Sequence, residues 1–400
     1  MKLISLFTLA ALVGPSTAQL RSFADSLSLV DNFWRDLQTS VYALSSSHPR
    51  RSFRRHTPGR IAKRCVRGPN GGIPGANTTS TTTFPTSSTS AAPTPSSTWK
   101  IQTAIAGADF FDAWTFFSFP DPTNGTVDYQ TLEGSQAANL TEVNSAGNAV
   151  LRVDITPQVT GNRKSVRLNS NLMINGGLVI LDAVHMPYGC GTWPAFWTTN
   201  NGTDQWPRKG EIDIVEGYNG YTQNLASLHT KPGCKIPKNY GGSGILTATG
   251  NNALDCNNQG CSQLSPQPNN YGKAFNENDG GVYAMKWDAS GISVFFFPRE
   301  AVPSDITSEQ PMPSTWGMPA GNWPAQSCDP STFMKEHVMV LNTALCGQLA
   351  GESWNAANVG GQGESCATST GYSTCVDYIR NQGAAFKDAY WEVKSVKVYT

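Results

Sequence analysis

Long hydrophobic runs are almost missing from this 400-residue chain. Its one sustained apolar stretch, Leu3 to Val13, is well short of the roughly 20 residues a membrane-spanning helix needs. No membrane span is expected. Metal-cluster spacing is missing as well. No two cysteines stand as Cys-x-x-Cys, and past residue 98 the only histidines are His185, His229 and His337, a poor supply for a zinc site. Also absent after Trp99 is helical periodicity sustained over about twelve residues. That argues against a bundle or a βαβ fold.

What is present begins with a leader. Lys2, the short apolar core and Ser16-Thr17-Ala18 read as a secretory signal over 1–18, cut after Ala18. A soluble protein outside the cell or in the cell wall is expected. The balanced formal charge hides a split: residues 1–98 carry 11 Lys and Arg against 3 Asp and Glu, and residues 99–400 carry 18 against 26. The basic excess clusters between His48 and Arg67. Such a run can be a nucleic-acid arm or a solvated tail. In a secretory chain the dibasic pairs Arg50-Arg51, Arg54-Arg55 and Lys63-Arg64 favour proteolytic processing, and no nucleic-acid partner is expected.

Segment 19–76 holds only a weak helical pattern and reads as a basic pro-segment. Residues 77–98 are mostly Ser, Thr and Pro, too poor in apolar groups to offset their ordering entropy, and read as a linker. One domain, 99–400, remains, long enough for a single large core. It holds eight cysteines, Cys190, Cys234, Cys256, Cys261, Cys328, Cys346, Cys366 and Cys375, enough for four disulfides of open pairing. Cys65 is left over. Sequons at Asn77, Asn124, Asn139 and Asn201 are candidate glycosylation sites.

The domain reads as sheet. Ala149 to Ile155, Leu178 to Val184, Val282 to Trp287, Ile292 to Phe297, His337 to Thr343 and Trp391 to Tyr399 have strand character, with a Gly-containing turn at Asp288 to Gly291. Strands without intervening helices predict an all-β fold, best a large two-sheet sandwich.

Into this pattern falls "RKGEIDIVEGYNG", with Glu211, Asp213 and Glu216 among Ile212, Ile214 and Val215. On a regular strand Glu211 and Asp213 share a face and Glu216 takes the other. On a helix five residues leave the two glutamates some 140° apart. A β-bulge between Asp213 and Glu216 restores the shared face. The glutamates then stand about four strand rises apart, and side chains leaning together narrow the carboxyl separation to about 5–6 Å, the spacing of a retaining glycosidase. These residues alone leave three readings: paired catalytic acids, a half-buried strand with a wet face, or calcium ligands. Trp193, Phe196, Trp197 and Trp206 nearby favour a sugar cleft, because an indole face packs on the C–H surface of a pyranose.

"HMPYGCGTWPAFW", "GEIDIVEG" and "SLHTKPGC", in that order, resemble the fungal laminarinase-type members of glycoside hydrolase family sixteen over essentially Trp99 to Thr400. The resemblance implies a concanavalin-like β-jelly-roll sandwich with the acids on a bulged strand in its concave face. It implies a β-glucan substrate with β-1,3 or mixed β-1,3/1,4 linkages, and endo cleavage. Glu211 would be the nucleophile, Glu216 the general acid/base, Asp213 and His229 their assistants. Trp193, Trp197 and Trp206 would border the cleft. "CGQLAG", Cys346 to Gly351, departs from the family pattern at Gln348 and Leu349, and Trp354 is the candidate to compensate. No cofactor or metal is called for, though the acids leave room for a structural cation. A monomer is expected. A glucan transglycosylase and a non-catalytic glucan-binding protein are the alternatives.

Overall fold

A computed structural model of the chain describes residues 96–400, apart from 201, 203–205, 248–254 and 258–259. The expected signal, the basic segment, nearly all of the linker, Cys65 and the sequons at Asn77 and Asn201 lie outside the described residues. Among those described, no helix is long and apolar enough to cross a membrane.

Two antiparallel eight-stranded sheets stack as a sandwich. The first runs Gly321–Pro324, Gly291–Pro298, Gly281–Asp288, Gly177–His185, Tyr390–Tyr399, Ala149–Arg152, Thr141–Val143, with Ile101–Ala106 also paired to Tyr390–Tyr399. The second runs Ile245–Leu246, Cys261–Leu264, Leu225–His229, Glu211–Glu216, Thr192–Asn200, His337–Leu345, Arg167–Ile174, Trp114–Phe116. Neighbours in a sheet are often far apart in sequence, as a jelly roll requires.

The period of each strand records which faces are covered. Between the sheets, Leu168, Phe196, Ile212, Leu228 and Leu341 meet Val179, Leu181, Tyr283, Met285, Val396 and Val398 in one core. The first sheet is covered on its other face too, where Leu178, Ile180, Val282, Ala284, Phe295 and Phe297 pack with Ile306, Trp99 and Trp316. This explains why Gly281–Asp288 and Gly291–Pro298 read as nearly continuous apolar runs. The second sheet alternates instead. Its outward face carries Arg167, Asn169, Asn342, Trp197 and the acids, where polar groups and indoles replace aliphatics.

The eight cysteines form four disulfides, Cys190–Cys366, Cys234–Cys328, Cys256–Cys261 and Cys346–Cys375. Cys346–Cys375 closes a span of 29 positions, worth about 3–4 kcal/mol on loop entropy. Beside it lies a separate core of Val127, Tyr129, Trp354, Ile379 and Phe386.

That core corrects one expectation. Trp354 is 2% exposed and its indole N–H donates to the Tyr372 carbonyl at 2.8 Å. A side chain so enclosed has no face to offer a sugar, so Trp354 does not replace a cleft aromatic. It is packing, and Trp354→Ala is expected to destabilise the domain by about 3–5 kcal/mol, read as a fall in the denaturant midpoint, while saccharide affinity at the cleft stays that of the parent.

Candidate active site

The register of one strand builds the site. Against Thr192–Asn200, Glu211 stands opposite Thr199, Asp213 opposite Trp197, Val215 opposite Phe196 and Glu216 opposite Ala195. The register shifts between Asp213 and Val215, so five steps on one strand match four on its neighbour. The bulge expected from the motif is therefore present. Glu211, Asp213 and Glu216 share the outward face, and Ile212 and Val215 enter the core with 0% exposure. Four rises of about 3.3 Å separate the glutamates along the strand.

Each glutamate is held by one indole. Trp206 Nε1 donates to Glu211 Oε2 at 2.9 Å, and Trp193 Nε1 donates to Glu216 Oε1 at 3.0 Å. Each carboxyl thus keeps its second oxygen for other work. Trp206 is 52% exposed and its ring lies 5.5 Å from that of His229. Trp193 packs partly against the central core. Trp197, on the same face, donates to Asn342 Oδ1 at 2.8 Å and carries the Arg167 guanidinium 5.0 Å from its ring centroid.

His229 stands opposite Glu211 on the next strand, and its Nε2 lies 3.3 Å from Asp213 Oδ2. Gly260, at φ +79°, clears the ring: a Cβ there would sit 2.7 Å from the imidazole, so any other residue would displace it. Among the described residues, donor atoms of Glu211, Asp213 and His229 lie within 4.8 Å of one another, close enough to share a cation. A cation there would occupy the carboxylate that the catalytic reading needs free.

Burial, first, and the Asp213 charge, second, push the carboxyls of Glu211 and Glu216 up to about 8. Carboxylates this close titrate as a group. His229 and an indole N–H favour the charged form of both, but Arg167 also favours it at Glu211, whereas the Glu211 charge disfavours it at Glu216. In both, burial and the neighbouring Asp213 charge outweigh these donors, so the two carboxyls hold on to protons near neutrality.

Sequence reasoning missed several residues that build the site. Arg167 carries a period-two signal, since polar positions 167, 169 and 171 alternate with Leu168 and Leu172, whereas Asn342, on the parity of Val338 and Val340, carries none. Asn219 and Asn224 carry none. Asn219 accepts from Gly191 N at 2.9 Å and donates to the Ala350 carbonyl at 2.9 Å, tying the turn after Glu216 to two neighbouring loops. His337 is a structural histidine, its ring between Thr198 and the Lys209 carbonyl, and burial lowers its pKa to about 4. The expected sequons Asn124 and Asn139 are exposed.

The family model described as XgeA-like, catalytic GH16 domain matches residues 114–399. A probable glycosidase of Schizosaccharomyces pombe is 37% identical over 306 residues, which cover 76% of this chain and 69% of that protein. An endo-1,3(4)-beta-glucanase of Arthroderma benhamiae is 40% identical over 297 residues, 72% of this chain and 62% of that protein. A probable endo-1,3(4)-beta-glucanase of Aspergillus clavatus is 36% identical, and the chain spans only 47% of its length. Among solved structures, an elongating GH family 16 beta-1,3-glucosyltransferase is similar with a TM-score of 0.67 and 38% identity, covering 76% of this chain and all of that one. Laminarinase 16A of Phanerochaete chrysosporium, with 6-O-glucosyl-laminaritriose in both donor and acceptor sites, has a TM-score of 0.67 and 34% identity, covering 76% of this chain and 99% of that one.

The raised carboxyls have a cost in stability. The folded protein retains a proton that the unfolded chain, with an ordinary value of 4.5, releases between about 4.5 and about 8. Stability therefore falls as pH rises through that window. Glu216→Gln removes the ionisable group, and its thermal midpoint is expected to exceed the parent's at pH 8 and to match it at pH 4.

Proposed function

The chain belongs to glycoside hydrolase family 16, in its XgeA-like catalytic group, and on that premise we propose that it is a secreted retaining enzyme cutting internal β-1,3-glucosidic bonds of β-glucan. The observation that carries this reading is the bulged register that brings Glu211 and Glu216 to one face, each held by one indole. The glucanase names of the relatives and the saccharide-bound laminarinase support the substrate class.

In this mechanism the free oxygen of Glu211 attacks the anomeric carbon. The free oxygen of Glu216 gives its proton to the departing glucosyl oxygen. The C–O bond to the leaving sugar breaks and a glycosyl ester forms on Glu211. Esterification removes the Glu211 charge, one of the groups holding the Glu216 pKa high, so Glu216 becomes the stronger acid and persists as the carboxylate base that the second step needs. Water loses a proton to Glu216 and attacks the same carbon, the ester bond breaks and returns Glu211 as the carboxylate, and configuration is kept. Exposed Trp206 offers the stacking face at this point of the cleft. Four disulfides and exposed sequons at Asn124 and Asn139 support export and glycosylation there, in line with the leader over 1–18.

A second reading has specific support. The glucosyltransferase among the similar structures is described as elongating. In that variant a sugar hydroxyl replaces water in the second step. Incubation with laminarin, lichenan and cellulose, with product sizing, tests both. Shorter products from laminarin are the expected outcome; longer oligomers at high donor concentration would favour transfer, and no change in any glucan would defeat both.

Role assignments have their own test. Glu216→Gln is expected to lower laminarin cleavage about 10²–10⁴-fold. Azide should then yield the β-glycosyl azide from Glu216→Ala and the α-glycosyl azide from Glu211→Ala; the reverse anomers would exchange the two roles. Asp213→Asn removes a charge that raises Glu216, so the alkaline limb of kcat/KM is expected at lower pH than in the parent.

A further inference from the structure

The bulge that aims Glu216 leaves a problem in the backbone. Glu211–Glu216 pairs with Leu225–His229 only at Glu211 with His229, Ile212 with Leu228 and Asp213 with Ser227. On that side Ile214, Val215 and Glu216 have no strand partner, yet Ile214 and Val215 are 0% exposed and Glu216 is 8% exposed. Buried backbone groups without partners cost as much as a lost hydrogen bond or more.

One side chain supplies both missing bonds. Asn224, 1% exposed, accepts from Glu216 N through Oδ1 at 3.0 Å and donates to the Ile214 carbonyl through Nδ2 at 3.0 Å. Its carboxamide offers a donor and an acceptor as a peptide unit would, and thus stands where a paired strand would otherwise be. Asn224 is itself fixed. Its backbone N donates to Asn270 Oδ1 at 2.8 Å, and its carbonyl accepts from Ser265 N at 2.8 Å. Asn270 is 0% exposed, donates through Nδ2 to the Gln267 carbonyl at 2.7 Å, and accepts at its own carbonyl from the Tyr283 hydroxyl. Tyr283 belongs to Gly281–Asp288 of the other sheet. A continuous polar path therefore runs from the opposite sheet to the backbone nitrogen of the acid.

On the functional reading given above, we propose that Asn224 is a positioning residue that holds the kinked backbone so that the Glu216 carboxyl meets the glycosidic oxygen. The asparagine carboxamide meets both requirements at this reach. Aspartate accepts but does not donate, leucine has the volume and neither bond, and glutamine is a methylene too long for the gap. The role is specific to proton delivery, because Glu211 lies on the other side of the bulge, where the strand pairing is intact.

The test compares two substrates. Laminarin leaves as a sugar alcohol and needs its proton; a 2,4-dinitrophenyl β-laminaribioside leaves as a phenolate and does not. The measured quantity is kcat/KM, which ends at formation of the glycosyl-enzyme, expressed per folded molecule from thermal unfolding. Asn224→Leu is expected to lower the laminarin value about 10²-fold and the dinitrophenyl value no more than about threefold. Asn224→Asp, which keeps the acceptor for Glu216 N, should fall in the same direction by less, and it decides the matter should the leucine variant not fold. A purely structural role would lower both substrates in equal proportion. That outcome, or parental values for both, overturns the proposal. A parent protein that turns over neither substrate instead overturns the functional reading itself, so the two failures are distinguishable.

Discussion

Six residues, Glu211–Glu216, set against five, 195–199, is the constraint on which the rest of the site depends. Were these six residues paired without the bulge between Asp213 and Val215, the period of two would send Glu216 into the core and turn Val215 outward. A lone carboxyl between the sheets would cost several kcal/mol or shed its charge. The same register step that keeps Ile212 and Val215 in the hydrophobic layer thus keeps three acids in the cleft. Packing and chemistry have a common cause in this strand. The defect is tolerated because Asn224 satisfies the backbone it exposes.

The electrostatics follow from that placement. Three acids on adjacent outward positions repel one another, and burial of Glu216 strengthens the repulsion because little water screens it. The protein answers with neutral donors, Trp193 and Trp206, one on each glutamate. An indole N–H stabilises a carboxylate without neutralising it, so a glutamate held this way can keep its charge. Lysine or arginine in those positions would have formed ion pairs and lowered both proton affinities. The arrangement trades some stability at alkaline pH for an acid that is still protonated near neutrality.

Much of this was legible in the sequence, and the reasons are specific. The hairpin Gly281–Asp288 with Gly291–Pro298 was readable from its apolar, β-branched and aromatic runs around a Gly turn. The bulge was readable because acids at 211, 213 and 216 break a parity that a half-buried strand must keep. Trp354 was misread, since an indole in a loop looks the same whether it lines a cleft or fills a core. Only the packing of Cys375–Asn381 and the Cys346–Cys375 bridge against it decides. Asn224 left no trace for a different reason. An amide that replaces a peptide bond has no period, no charge and no fixed spacing from the residue it serves, and only three-dimensional placement reveals it.

One feature of the first sheet bears on how the protein is made. Tyr390–Tyr399, the last strand of the sandwich to leave the ribosome, pairs with Ile101–Ala106, Ala149–Arg152 and Gly177–His185, and so lies inside the sheet and not at its rim. Thr141–Val143 can pair early with nearby Ala149–Arg152, but Ile101–Ala106 has its strand partner only in Tyr390–Tyr399, at the far end of the domain. Closure of the first sheet is thereby governed by contacts of long sequence separation, which are slow to form.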